Sequence, residues 1–162
     1  MGSTNRMRVG IQAGFLGGAA VAALFFMLDL LHLQPLVTPI ALAGRILSPT
    51  GPAFDLPVVS QLLGVVILAG NVLALTLLHF LAFSFLGLGA VWGCEKCHVP
   101  LNVFTGALYG LIFGSAVYYC CMALLGQAFL ANTPGPLMVA FANLTAGALM
   151  GGFTRVVRSR KG

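Results

Sequence analysis

Cys94-Glu95-Lys96-Cys97-His98 is the stretch of this chain whose residue types and spacing match a known chemistry. C-x-x-C-H is the attachment pattern of c-type haem. There, two thiols form thioethers to the porphyrin vinyls and the adjacent histidine becomes the proximal iron ligand. The same side chains, Cys94, Cys97 and His98, supply three of the four ligands of a structural zinc, with no fourth nearby in the sequence. As a vicinal dithiol, the pair can also exchange electrons with a partner. The plainest reading is an unmodified loop without a cofactor, with haem c or zinc as the alternative.

Few other residues are equipped for chemistry. His79, in Leu77-Leu78-His79-Phe80, and the asparagines Asn71 and Asn143 fall inside long apolar runs. A polar side chain at membrane depth either bonds a neighbouring helix or lines a substrate, quinone or proton path. Asp29 and His32, at i and i+3, can pair on one helix face near the outer end of the first run, anchoring it at the headgroups. Cys120 and Cys121 lie within an apolar run rather than in a loop, so the second cysteine pair of a four-span disulfide-forming oxidoreductase is missing. No nucleophile-base-orienter set, phosphate loop or carboxylate cluster appears, and a non-enzymatic protein is expected.

The elements that must position these residues follow from composition. The 162 residues are 59% hydrophobic and only 7% charged. A soluble domain is about a quarter charged, so this chain has too little charge to cover a globule in water. A bilayer core about 30 Å thick needs about 20 apolar residues in a helix, and four segments qualify: 9–31, 58–87, 101–125 and 137–157. The second is longer than a bilayer needs, so it is expected either to tilt or to end at Gly87 and Gly89, which would leave Trp92 at headgroup level. The first is too long for the apolar core of a cleaved signal peptide and lacks an A-x-A-like site, so it is expected to be retained. Strands are excluded because an isolated strand leaves its backbone unsatisfied in lipid, and no barrel alternation is present. The expected fold is an all-α membrane protein, a single four-transmembrane-helix bundle. Its loop 32–57 is proline-rich, and residues 39–47 can form a short interfacial helix after Thr38-Pro39. Asn132-Thr133-Pro134-Gly135-Pro136 marks a turn.

With four spans, both termini and the loop between spans two and three share one face. That face carries Arg6, Arg8, Lys96, Arg155, Arg158, Arg160 and Lys161, and the other carries Arg45 alone. The positive-inside rule therefore predicts cytoplasmic termini. Covalent haem attachment normally takes place outside the cytoplasm, so this orientation works against a haem at Cys94 and Cys97. Basic ends flanking an apolar body suit anionic lipid, and no aromatic-interleaved basic patch points to nucleic acid.

Two spans carry glycines at a spacing of four: Gly10, Gly14 and Gly18, and Gly106, Gly110 and Gly114; the fourth adds Gly147 and Gly151. Such faces let helix backbones approach closely, within the chain or between copies. Gly70-Asn71-Val72-Leu73-Ala74 is echoed by Ala142-Asn143-Leu144-Thr145-Ala146, which suggests two related hairpins with the first loop expanded.

Thr38-Pro39, Leu78-His79-Phe80-Leu81-Ala82-Phe83, Val117-Tyr118-Tyr119, and Asn143 followed by Gly147 and Met150-Gly151 before a basic tail resemble a group of uncharacterised bacterial four-span inner-membrane proteins. The resemblance implies four helices and a bacterial inner membrane, and brings no activity; C-x-x-C-H is not part of its pattern. Three functions are expected in order: an accessory or scaffolding subunit or self-associating bundle, partnered by lipid and by a second copy or a larger membrane complex; an electron-transfer subunit carrying haem c; and a small transporter with Asn71, His79 and Asn143 around a midplane site.

Overall fold

The computed structural model describes residues 3–33, 40, 58–125 and 135–159. Among these, regular structure is entirely helical: α1 (Ser3–Leu31), α2 (Val58–Lys96), α3 (Val103–Tyr109), a π-helical turn (Gly110–Gly114), α4 (Ser115–Leu125) and α5 (Pro136–Ser159). The α3, π and α4 segments run on as one span. Four helical stretches are long and apolar enough to cross a membrane: Asn5–Leu31, Gly64–Lys96, Val103–Cys121 and Pro136–Ser159. The chain is an all-α, multi-pass membrane protein. The interfacial helix expected at 39–47, Arg45, Arg160 and Lys161 fall outside the described residues, Ile40 apart.

Local chemistry sets several boundaries. Asn102 caps α3: its side-chain oxygen accepts from the N–H groups of Phe104 (2.9 Å) and Thr105 (3.0 Å), while its own N–H donates to Thr105 Oγ1 (2.9 Å). This reciprocal capping box satisfies donors that a helix start otherwise leaves open. Pro136 opens α5, where a missing N–H costs nothing. The Gly135 carbonyl accepts from Met138 N (2.9 Å) and Val139 N (3.2 Å).

Helix α2 does not stop at Gly87 or Gly89, one of the two outcomes expected above, but continues to Lys96. Glycine weakens a helix without terminating it, and no proline or left-handed residue intervenes before His98. At about 1.5 Å per residue α2 is about 58 Å long, nearly twice the hydrocarbon core.

By their contacts the residues fall into two units, Met1–Leu24 with Phe80–Gly162, and Phe25–His79. In the first, the buried core comprises Val9, Ala13, Val21, Phe83, Ala90, Val91, Leu101, Val139, Ala142, Ala146 and Met150. Small residues dominate this list because its helices meet backbone to backbone. A Cβ at Gly14 would lie 2.7 Å from Ser84 Cα, and one at Gly10 would lie 2.9 Å from Leu88 Cα. Across α3 and α5, a Cβ at Gly147 would lie 2.8 Å from Gly110 Cα and would collide with the Gly106 carbonyl oxygen. Gly151 faces the Asn102 carbonyl and Gly106 Cα in the same way. Gly17, on another side of α1, takes Met150 against it. Large apolar residues such as Phe85, Trp92, Phe104 and Phe141 are exposed, an arrangement suited to lipid.

The π turn explains how three glycines at a spacing of four stay in contact with one partner. In an α-helix every fourth residue drifts by about 40° around the axis. The wider i→i+5 turn at Gly110–Gly114 rotates less per residue and reverses that drift. Gly106, Gly110 and Gly114 therefore all face α5.

The second unit is sparser in described packing. Gly64 and Gly70 have open space where a Cβ would stand, and Val65, Val66, Ile67, Leu73, Leu77 and Leu78 are exposed. Asp29 is buried.

Candidate functional site

The C-x-x-C-H stretch forms the last turn of α2 and its terminator. Cys97 N–H donates to the Gly93 carbonyl (2.9 Å), His98 N–H to Glu95 (3.2 Å) and Val99 N–H to Cys94 (2.9 Å). His98 has φ 55°, in the left-handed region. The His98 and Val99 bonds are the paired closing bonds of a Schellman motif, with histidine where glycine is usual and Pro100 just beyond. The backbone of the motif thus ends the helix.

Its side chains differ in exposure. Cys94 is half-buried and packs against the cluster Val9, Ala90, Val91 and Leu101, whereas Cys97 and His98 are exposed. Among the described residues no three His, Cys, Asp or Glu side chains gather as a metal site would require. Lys96 Nζ lies 5.1 Å from the centroid of the exposed Trp92 ring, placing a cation and an amphipathic aromatic together at this end of α2.

Glu95, an unassigned position inside the motif, is the most heavily tied residue at this end. Its Oε2 lies 3.2 Å from Arg6 Nε, and its Oε1 accepts from Arg158 Nη2 at 2.7 Å. The start of α1, the end of α2 and the end of α5 are thereby joined through one carboxylate, whose side chain is only 24% exposed. Sequence reasoning counted Arg6 and Arg158 as topology signals and passed over Glu95. The available signal was scarcity: with three acids in the whole chain, one placed among basic helix ends was a candidate partner for them.

The intramembrane polar residues are also engaged. Asn143 is buried, donates through Nδ2 to the Val139 carbonyl (3.0 Å), and lies against Gly114, where a Cβ would stand 2.6 Å from Asn143 Oδ1. Thr154, Thr145, Thr76 and Ser84 each donate to the carbonyl four residues back. Asn71 and His79 are half-buried and, like Asp29, take part in contacts of their own. The His32 ring nitrogen Nδ1 shares the Leu28 carbonyl (2.8 Å) with the His32 backbone N–H, so this imidazole closes the end of α1. Cys120 and Cys121 are exposed free thiols. The glycines of α1 lie against α2: Gly10 faces Leu88 and Gly87, Gly14 faces Phe83, and Gly18 faces the Phe83 and Phe80 rings.

No family model, curated protein or solved structure matches this chain.

Proposed function

We propose that this is a non-enzymatic accessory or scaffolding protein of the bacterial inner membrane, of the four-span kind it resembles, with both termini in the cytoplasm. One observation carries the reading: the polar side chains of Glu95, His32 and Asn143 and the backbone of His98 hold helix ends and helix contacts. Glu95 ties three helix ends, His98 terminates α2, His32 closes α1 and Asn143 fills a glycine-lined contact. The proximity of Arg6, Glu95 and Arg158 supports a common face for both termini and the loop after α2, which the cation count assigns to the cytoplasm. The glycine faces of α1, α3 and α5 are occupied by neighbours within the chain, so partners (a second copy or a larger complex) engage other helix faces.

The reading is tested by fusing alkaline phosphatase or green fluorescent protein after Pro100 and at the C-terminus, and by recording the absorbance and intact mass of the purified protein. Fluorescent, phosphatase-negative fusions, no Soret band and a mass equal to the bare polypeptide are expected. Phosphatase activity at either fusion would overturn the orientation, and a Soret band with added mass would replace the scaffold with an electron-transfer subunit.

A further inference from the structure

We propose that Cys94 and Cys97 are a redox-reversible dithiol whose closure to a disulfide loosens the tie that Glu95 makes between the helix ends. Cys94 lies in the last turn of α2 and Cys97 follows its end at i+3, with its N–H bonded to the Gly93 carbonyl, and both are free thiols. Cys97 is exposed and Cys94 half-buried, the arrangement of an attacking thiol backed by a resolving one. Helical side chains at this spacing have Cβ atoms about 5–6 Å apart, and a disulfide needs about 3.5–4.5 Å. Closure therefore tightens the final turn by about 1–2 Å. Cys97 is exposed just past the helix end, next to the left-handed His98. Glu95 lies inside the closed ring and cannot keep its place between Arg6 and Arg158 while the turn contracts.

The oxidant is a small-molecule disulfide. The Cys97 thiolate attacks one of its sulfurs, which forms a mixed disulfide and releases one small thiolate. The Cys94 thiolate then attacks Cys97 Sγ, which forms the Cys94–Cys97 bond and expels the second. The protein gives up two electrons and two protons, and the small disulfide becomes two thiols. In a reducing cytoplasm such a bond is transient and reports oxidising conditions. The transience of the bond rests on the cytoplasmic orientation proposed above, whereas the thiols and the Glu95 tie exist whatever the protein assembles with.

The test equilibrates the full-length protein in detergent with mixtures of reduced and oxidised glutathione. Remaining thiols are blocked with iodoacetamide, and peptides are mapped by mass spectrometry before and after reduction. A reversible Cys94–Cys97 bond is expected, abolished in Cys97→Ala, at ratios where Cys120 and Cys121 remain reduced. Because the tie and the bond oppose one another, Glu95→Gln should reach half-oxidation at a ratio at least about three-fold less oxidising. Glutathione adducts at Cys97 with no internal bond at any ratio would overturn the dithiol. An unchanged half-oxidation ratio in Glu95→Gln would overturn the coupling. Cys97→Ala leaves Glu95 and the helix in place, so its folding, followed by circular dichroism, separates loss of the bond from loss of the protein.

Discussion

Asn71 and Asn143 each follow a small residue and precede an alanine by three, in Gly-Asn-Val-Leu-Ala and Ala-Asn-Leu-Thr-Ala, yet their surroundings differ. Ala142, Asn143 and Ala146 are buried, and Asn143 fits over Gly114. Around Asn71, Gly70 has open space beside it and Leu73 is exposed. The difference shows what decides packing in lipid. A helix gains nothing hydrophobic by leaving lipid for another helix, so contact forms where a partner offers a surface small enough for dispersion and backbone dipoles to act at short range. Gly110 and Gly114 make that surface for Asn143.

The comparison breaks most readily at the glycines. Gly147→Leu drives a side chain into Gly106 and Gly110 backbone, where flexible atoms are not available to yield, and is expected to cost about 3 kcal/mol. Gly70→Leu meets open space and should stay within about 0.5 kcal/mol of the parent. Thermal or denaturant unfolding in one detergent, followed by tyrosine and tryptophan fluorescence, measures both. Equal losses would mean that the two regions are packed alike and the contrast has no energetic meaning.

The asparagines sharpen it. Asn143→Leu removes the bond to Val139 and pushes a branched side chain toward Gly114; the loss is expected to be about 2 kcal/mol. Asn71→Leu also loses a contact that Asn71 makes, but the open space beside Gly70 leaves room for the leucine, so it should cost less than Asn143→Leu in the same assay. If uptake of a solute into proteoliposomes were found and lost with Asn143→Leu while the fold survived, the residue would belong to a transport path.

These contrasts mark where the sequence was legible. The spans were, because lipid forces helices and sets their length, so that hydropathy alone identified all four. The glycine spacing pointed to faces suited for close approach, but not to which helix each would meet. That depends on rotation about the helix axis, and the π turn at Gly110–Gly114, which changes the rotation, has no local signature beyond its glycines. Whether α2 tilts or ends at Gly87 was left open because glycine is equally at home at a helix end and at a close crossing, and Gly10 and Gly14 opposite decide between them. The motif was visible as letters, but its use as a helix terminator was not, since a histidine in the left-handed region is uncommon.

The Glu95 tie contributes less than either comparison. Two ion pairs with partly exposed side chains are expected to give about 1 kcal/mol together. Glu95→Gln should lower unfolding stability by that amount at low salt and by less as ionic strength rises. A loss that ignores salt would point to packing around Glu95 instead of charge.

The smallest effect belongs to His98, and its sign is informative. In the left-handed region a non-glycine residue carries about 1–2 kcal/mol of backbone strain, so His98→Gly relieves strain while adding freedom to the unfolded chain worth about 0.5–1 kcal/mol. The net expectation is a gain of about 0.5 kcal/mol, with the bonds from residues 98 and 99 back to Glu95 and Cys94 retained. His98→Val reverses the sign, because a β-branched side chain tolerates this backbone least. A terminator requires that pair of opposite shifts in unfolding midpoint. An imidazole that serves as a ligand predicts something else: His98→Gly would destabilise the protein, and free imidazole in the buffer would restore part of the loss.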